Sequence, residues 1–132
     1  MNDGDHRGVR WLIDGMNVIG SRPDGWWRDR RDAMRRLVRL LDDFREASGE
    51  DLTVVFDGRA FDLGEEGEGP RVVFAPGGRN AADHELLRIL NAEPGVRFRV
   101  VTSDAELAEA ARATGAEIVP SGSFRRRLDE TG

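Results

Sequence analysis

The sequence lacks three residue types that carry much of enzyme chemistry. Its 132 residues include no Cys, no Lys and no Tyr, and all 20 basic residues are Arg. The absence of Cys excludes disulfides, thiolate zinc sites and Cys nucleophiles. The absence of Lys excludes P-loop NTPase chemistry and Schiff bases, and without Tyr no phenol can act as acid or nucleophile. With only two His, cleavage of a phosphodiester by a His pair is also disfavoured.

Long apolar runs and a strong charge of one sign are absent as well. No run approaches the roughly 20 residues that span a bilayer, and residues 1–10 are polar and charged rather than signal-like. The formal charge of −5 argues against a histone-like basic binder. The length fits one domain. We therefore expect a soluble cytoplasmic protein without a membrane partner, with a flexible tail over 1–8, one domain over 9–128 and a C-terminal tail over 129–132.

The hydrophobic pattern alternates between strands and helices. Apolar runs predict buried strands at 9–13, 52–56, 71–75, 96–102 and 117–119. Helical spacing predicts helices at 28–47, 81–90 and 105–114. We predict an acidic loop over 62–70 and a polar tail over 121–132 with one helical turn around Phe124 and Leu128. Strands joined by helices predict one α/β domain with a mostly parallel sheet covered on both faces.

Three of the predicted strands run directly into an acidic residue. Asp14 and Asp57 each follow a strand and precede Gly, and Asp104 follows Ser103 after a third strand. The carboxyl ends of parallel strands meet at one edge of a sheet, where open α/β sheets bind ligands. Asp83 adds a fourth carboxylate from the apolar stripe of a helix, where a charge needs a partner unless the helix begins there.

Four clustered carboxylates suit a hard divalent cation. Mg²⁺ takes oxygen ligands, keeps waters and bridges to phosphate, and Mn²⁺ occupies similar sites. Such an ion makes a nucleophile from water without a His, Lys or Cys base. The alternative to metal binding is that each acid only stabilises a local turn or helix start. Asp-Gly is a common turn pair, Ser103 with Glu106 fits a capping box, and Asn80 with Asp83 resembles the same device.

The segment 13–20, IDGMNVIG, resembles the opening motif of the NYN domains, which are PIN-like nucleases. The closest likeness is to the YacP-like branch of small bacterial NYN ribonucleases. That branch also shows Phe-Asp at a strand end, Ala-Asp at a helix start and Thr-Ser-Asp after the fourth strand. The matching segments in this sequence are Phe56-Asp57, Ala82-Asp83 and Thr102-Ser103-Asp104. The likeness runs from about Arg10 to Leu128, and His84-Glu85 and the loop 64–69 depart from it.

The resemblance implies a PIN-like, Rossmannoid three-layer fold and a divalent-metal-dependent endoribonuclease that hydrolyses RNA phosphodiesters with Mg²⁺ or Mn²⁺. By position, Asp14, Asp83 and Asp104 are the implied metal-binding acids, and Asp57 is a fourth. Asn17 is implied to hydrogen-bond near the metal or scissile phosphate. Ser103 is implied to orient Asp104 or contact a metal-bound water. The implied partner is single-stranded RNA, with messenger RNA at the ribosome as one form of it.

Basic and aromatic residues beside the proposed acids are candidate RNA contacts, because Arg binds phosphates and exposed Trp stacks on bases. The candidates are Arg22, Trp26, Trp27, Arg28, Arg59 and Arg79. The alternatives are that one Trp packs at the helix entry and that the Arg residues form a solvated helix face. We expect His84 to be exposed, and we interpret the three Arg at 125–127 as a solvent-exposed tail.

Two other functions compete with the nuclease. One is a non-catalytic RNA- or ribosome-binding module on a PIN-like fold, which the presence of all four acids disfavours. The other is a phospho-acceptor receiver domain with Asp57 as acceptor. Receiver domains use a Lys near the phosphoryl group, and this chain has no Lys.

Overall fold

A computed structural model describes residues 9–63 and 69–131 of the chain. The five strands are β1 (Val9–Asp14), β2 (Asp51–Asp57), β3 (Arg71–Ala75), β4 (Arg97–Val101) and β5 (Glu117–Val119). The helices are α1 (Gly15–Ile19), α2 (Arg30–Ser48), α3 (Ala81–Ala92), α4 (Ala105–Arg112) and α5 (Ser121–Thr131), with a 3₁₀ turn at Trp26–Arg28. The part of the loop at 64–68 and the predicted tail at 1–8 lie outside the described residues.

The strands form one parallel sheet in the order β3-β2-β1-β4-β5. All four pairings are parallel, and β1 lies at the centre between β2 and β4. The chain builds outward from β1 to β3, then crosses back to add β4 and β5 on the other side. The strand order therefore reverses beside β1, which is where open α/β sheets bind ligands. The predicted parallel α/β sheet is confirmed.

Helices cover both faces of the sheet and complete three layers. Alternate side chains of a strand point to opposite faces, so Trp11 and Ile13 pack with α1, α2 and α5, and Leu12 packs with α3 and α4. Helix α2 carries the predicted apolar stripe, and Leu37, Val38 and Leu41 are fully buried. The buried β2 residues divide in the same way between the two layers.

Two helices differ from the sequence prediction. Helix α1 follows β1 without a loop and has only five residues. A helix of this length is too short to show a helical period in the sequence. Helix α5 spans eleven residues rather than one turn, because Phe124 and Leu128 are both 0% exposed in the core. The interpretation of 125–127 as an exposed tail was wrong in part, because the segment is helical and Arg125 is half-buried, whereas Arg126 and Arg127 are exposed. The guanidinium of Arg127 stacks over the Phe44 ring, 5.3 Å from its centroid.

A membrane-crossing helix does not occur in the part of the chain that the structure describes, since none there combines the necessary length and apolarity.

Candidate functional site

Four acidic residues lie at the carboxyl edge of the sheet, as predicted. Asp14 ends β1, Asp57 ends β2, Asp83 lies in the first turn of α3, and Asp104 directly precedes α4. Asp14 occupies the central strand beside the reversal of strand order. Parallel topology thus brings together four carboxylates that are up to 90 residues apart in sequence.

Asp14 is the most buried of the four, with 6% of its surface exposed. Its Oδ2 accepts a hydrogen bond of 3.0 Å from Oγ1 of Thr102, which in turn accepts one of 3.1 Å from the backbone N–H of Asp104. The pKa of Asp14 is raised to about 7, chiefly by burial and further by the negative charges of Asp83, Asp57 and Asp104, while the hydrogen bond from Thr102 acts in the opposite direction. The ionised form of Asp14 is therefore costly in the protein alone.

Asp83 is half-buried and shares the same negative environment. Burial raises its pKa, and the charges of Asp104 and Asp57 add to the rise, while neighbouring His84 opposes it. The mutual influence of these carboxylates shows that they form one electrostatic cluster. His84 itself is exposed, as predicted.

Two of the acids also stabilise the helices that follow them. Oδ1 of Asp104 accepts a hydrogen bond of 3.0 Å from the N–H of Leu107 and caps α4, so the capping residue is Asp104 rather than Ser103. Oδ1 of Asp57 accepts one of 3.0 Å from the N–H of Ala82. It supplies the cap for α3 that Asn80 does not, because the side chain of Asn80 makes no capping bond. Asp57 and Asp104 thus each commit one carboxylate oxygen, Oδ1, to a backbone N–H at the start of a helix.

The four carboxylates lack an ion-pair partner among the residues that the structure describes. No Arg forms an ion pair with Asp14, Asp57, Asp83 or Asp104 within residues 9–63 and 69–131. In the same ranges, no three Asp, Glu or His side chains are arranged as a ready-made metal cage. The site is therefore an open, uncompensated acidic cluster.

Asn17 lies in a hydrogen-bonded group beside this cluster. Its Oδ1 accepts from the N–H of Ser103 at 2.8 Å and from Oγ of Ser121 at 2.6 Å. Because both donors hydrogen-bond to Oδ1, the orientation of the amide is fixed, and Nδ2 faces away from Ser103 N–H and Ser121 Oγ. Oγ of Ser103 accepts from the N–H of Ser121 at 2.9 Å, so Ser103 joins α5 to Asn17. It is Thr102, through Oγ1, that contacts Asp104.

The candidate RNA contacts fall into two groups. Arg22 forms an ion pair with Asp129 of α5. Trp26 is half-buried against the core, so it is the Trp that packs at the helix entry. Trp27 is 55% exposed, lies edge-to-face on Trp26 with centroids 5.9 Å apart, and has Arg28 6.0 Å from its centroid. Trp27 is thus the Trp that presents its ring to solvent.

Arg59 and Arg79 are exposed near the acids in sequence. Arg79 lines an open groove of about 450 Å³ together with Phe74, His84 and Arg88. Ala81 and His84 of the first turn of α3 also line this groove, and Asp83 of the same turn does not.

Sequence reasoning missed two residues that organise the site, Thr102 and Ser121. Both are buried polar residues, with 1% and 0% of their surfaces exposed. Thr102 belongs to the Thr-Ser-Asp segment, and that segment is the one signal that could have indicated it. Nothing in the sequence indicates Ser121, because its partner Asn17 is 104 residues away.

Comparisons with known proteins identify a family and a shared fold. The family model described as the YacP-like NYN domain matches residues 11–132. A solved structure of a point mutant of Rae1 (YacP) from Bacillus subtilis superposes with a TM-score of 0.75 at 22% identity, covering 92% of this chain and 75% of that one. A second Rae1 (YacP) structure gives a TM-score of 0.72 at 23% identity, covering 92% and 74%. At these identities the two structures show a shared fold. No curated protein matches the chain in sequence.

Proposed function

Since the chain belongs to the YacP-like NYN domain family of PIN-like, nuclease-type ribonucleases, we propose that it hydrolyses RNA phosphodiester bonds at the Asp14 cluster with the help of a divalent cation. The observation that carries the proposal is the burial of Asp14 among three other carboxylates that form no ion pair with an Arg in the described part of the chain. A protein gains nothing in stability from such an arrangement. A buried cluster of carboxylates is typical of a site that receives positive charge from a ligand.

The donor set fits Mg²⁺ or Mn²⁺. Asp14, Asp83 and Asp104 would hold the ion, with Asp57 beside them. Mg²⁺ is usually bound by one or two carboxylates together with waters and substrate phosphate, so an open cluster without a three-ligand cage is compatible with it. When bound, such an ion activates water and neutralises charge on the phosphate.

The protein's own residues position the reacting groups. Thr102 holds the Asp14 carboxylate by one oxygen and so fixes its direction. Asn17 has an Nδ2 donor whose orientation is set by Ser103 and Ser121, and that donor is suited to a phosphate oxygen. The site contains no Lys or Cys and only the exposed His84 nearby. Proton transfer within the chain's own groups therefore falls to the carboxylates.

RNA would reach the cluster across exposed basic and aromatic groups. Trp27 offers a ring for stacking on a base, and Arg28, Arg59 and Arg79 are exposed for phosphate binding. Arg22 and Trp26, which are engaged in an ion pair and in core packing, contribute less. Endonucleolytic cutting and an encounter with messenger RNA at the ribosome stay predictions of the family resemblance.

Cleavage of an end-labelled, unstructured RNA tests the proposal. The reaction is run with Mg²⁺, with Mn²⁺ and with chelator, on the wild-type protein, on Asp14→Asn and on Asp43→Asn. Asp43 is an exposed acid of α2 and serves as the matched control. We expect metal-dependent products, a loss of at least about 100-fold in Asp14→Asn, roughly the scale of removing one key catalytic group, and unchanged cleavage in Asp43→Asn.

Three outcomes would contradict the proposal. Cleavage in chelator, or equal cleavage by Asp14→Asn, would show that the acidic cluster does not carry the reaction. Tight RNA binding without cleavage under either metal would favour the non-catalytic binding module.

A further inference from the structure

Three arginines in the first two turns of α2 lie against the segment that follows β2. Nη2 of Arg30 donates to the backbone oxygen of Asp57 at 3.3 Å, and Nη2 of Arg35 donates to the backbone oxygen of Asp62 at 3.2 Å. The guanidinium carbons of Arg31 and Arg35 lie 4.7 and 5.3 Å from the centroid of the Phe61 ring. We name Arg30, Arg31 and Arg35 the arginine strip.

The strip is held in place without being neutralised. None of its three members forms an ion pair with a carboxylate in the described part of the chain, whereas Arg36 of the same helix pairs with Asp32. A guanidinium has five N–H donors, and one carbonyl oxygen or one aromatic face leaves most of them available. Arg30 and Arg31 are exposed and Arg35 is half-exposed. The strip therefore presents unpaired positive charge to solvent.

Phe61 connects two members of the strip, Arg31 and Arg35, to the core. Its ring packs on that of Phe74 with centroids 5.5 Å apart, and Phe74 in turn packs on the fully buried Phe56 at 6.0 Å. The stacked arginines are thus anchored to the core through three rings. Ordered side chains lose less conformational entropy when a ligand binds.

The strip begins at the acidic cluster and leads away from it. Arg30 contacts the backbone of Asp57, whose carboxylate belongs to the cluster, and Arg31 and Arg35 continue along α2 over Phe61. Trp27, the exposed Trp, precedes the strip by three residues, at the carboxyl edge of the sheet where α2 begins. Charge for phosphates and a ring for a base therefore adjoin the same site.

We infer that the arginine strip binds the phosphates of an unpaired RNA strand that extends from the Asp14 cluster. This inference rests on the proposed function, which supplies RNA as the ligand. Arg binds phosphate bidentately in a planar geometry, and a stacking platform such as Trp27 is usable only by a base that is not paired.

Binding without cleavage tests the inference. Fluorescence anisotropy of a labelled, unstructured 12-nucleotide RNA is measured in chelator at several salt concentrations. The strip variant is Arg30→Gln/Arg31→Gln/Arg35→Gln. The control variant is Arg39→Gln/Arg97→Gln/Arg112→Gln, which removes the same charge from exposed arginines that form no ion pair in the described ranges. Each phosphate contact adds about 0.7 to the salt slope of a single strand.

We expect the strip variant to bind RNA about tenfold or more weakly and to lose about 2 from the salt slope, as three lost phosphate contacts require. The control variant is expected to stay within about threefold of the wild-type protein. Equal weakening in the two variants would show that only net charge matters and would overturn the inference. Equal wild-type affinity for a duplex of the same sequence would overturn the assignment to an unpaired strand.

A second measurement uses the wild-type protein, because the strip variant also removes contacts to the segment 57–62. Phenylglyoxal modifies accessible arginines, and mass spectrometry locates the modified sites. We expect RNA to protect Arg30 and Arg31 and to leave Arg97 and Arg112 reactive; unchanged reactivity at Arg30 and Arg31 would overturn the inference. RNA binding through the strip by a protein that cleaves under no metal would refute the proposed hydrolysis alone, whereas cleavage with no role for the strip would refute this inference alone.

Discussion

At the scale of single residues, the acidic site opposes the stability of the fold. Burial and neighbouring carboxylates raise the pKa of Asp14 to about 7, against about 3.9 for an unfolded Asp. The folded protein therefore holds this proton more tightly than the unfolded chain. The stability that protonated Asp14 contributes to the folded protein is fully present below about pH 4 and is lost as the pH rises from about 4 to 7.

The first prediction compares Asp14→Asn with the wild-type protein in chelator. Asn carries no charge at any pH, so the variant does not suffer this loss. We expect it to be the more stable protein, and its advantage in the free energy of unfolding to grow by about 2–3 kcal/mol between pH 5 and pH 8, as a pKa difference of about three units requires. Urea unfolding at both pH values measures this advantage, with Asp43→Asn as control. A difference that does not change with pH would contradict the prediction.

The second prediction separates the structural role of Asn17 from its role at the site. Asn17→Ala leaves the N–H of Ser103 and the buried hydroxyl of Ser121 without an acceptor, and we expect it to lower the free energy of unfolding by about 2–3 kcal/mol. Asn17→Asp retains an acceptor for both donors and is expected to lose less stability than Asn17→Ala, although its charge adds to the repulsion within the acidic cluster. It is expected to cleave RNA at least tenfold more slowly, because a charged oxygen replaces the Nδ2 donor. Wild-type cleavage by Asn17→Asp would show that the donor has no role.

At the scale of elements, the junction of β1 and α1 requires Gly15. A Cβ added there would lie 2.4 Å from Cε1 of Phe56 and 3.0 Å from Cγ2 of Val54. Both neighbours are fully buried, so they have little room to move. The Gly that follows Asp14 therefore allows the chain to turn from strand to helix directly over β2.

The third prediction follows from this contact. Gly15→Ala forces a methyl group into a packed core and is expected to lower the free energy of unfolding by about 1–3 kcal/mol. Gly95→Ala is the matched control, because a Cβ at Gly95 would meet no atom within 4 Å. Chemical denaturation of both variants measures the difference. Equal stabilities would mean that the Phe56 ring can move aside without cost.

The elements also show what the sequence could reveal. The bounds of β3 and β5 agree with the prediction, because each is a short apolar run bounded by polar residues, Gly or Pro. Helix α5 was predicted as a single turn because its local signal is only Phe124 and Leu128 among charged residues. Phe124 is buried by the rings of Trp11 and Phe44, which come from distant parts of the chain. Asp14, Asp57 and Asp104 were placed because strand ends are predictable, and Asp83 because of its position in a predicted helix. Thr102 and Ser121, in contrast, act through long-range hydrogen bonds that no local pattern encodes.

At the scale of the whole molecule, one sheet edge carries the negative charge and α2 carries the positive charge beside it. The net charge of −5 conceals this separation. The acidic cluster lies at the reversal of strand order, where α1, α3, α4 and α5 all begin. An ion bound there would therefore connect both halves of the sheet, and its binding would be seen in the stability of the entire domain.

The fourth prediction concerns that global stability. A ligand that binds only the folded protein at 100 times its Kd adds about 2.7 kcal/mol, which corresponds to roughly 5–14 °C for a domain of this size. We expect Mg²⁺ or Mn²⁺ at saturation to raise the Tm of the wild-type protein at pH 8, where Asp14 is ionised, and to raise it less at pH 5, where protons compete. Calorimetry at constant ionic strength measures the shift. Asp14→Asn is expected to show little shift and Asp43→Asn the full one, because Asp43 lies outside the cluster. If Asp14→Asn responded as strongly as the wild-type protein, the ions would be acting on the overall negative charge and not on the site.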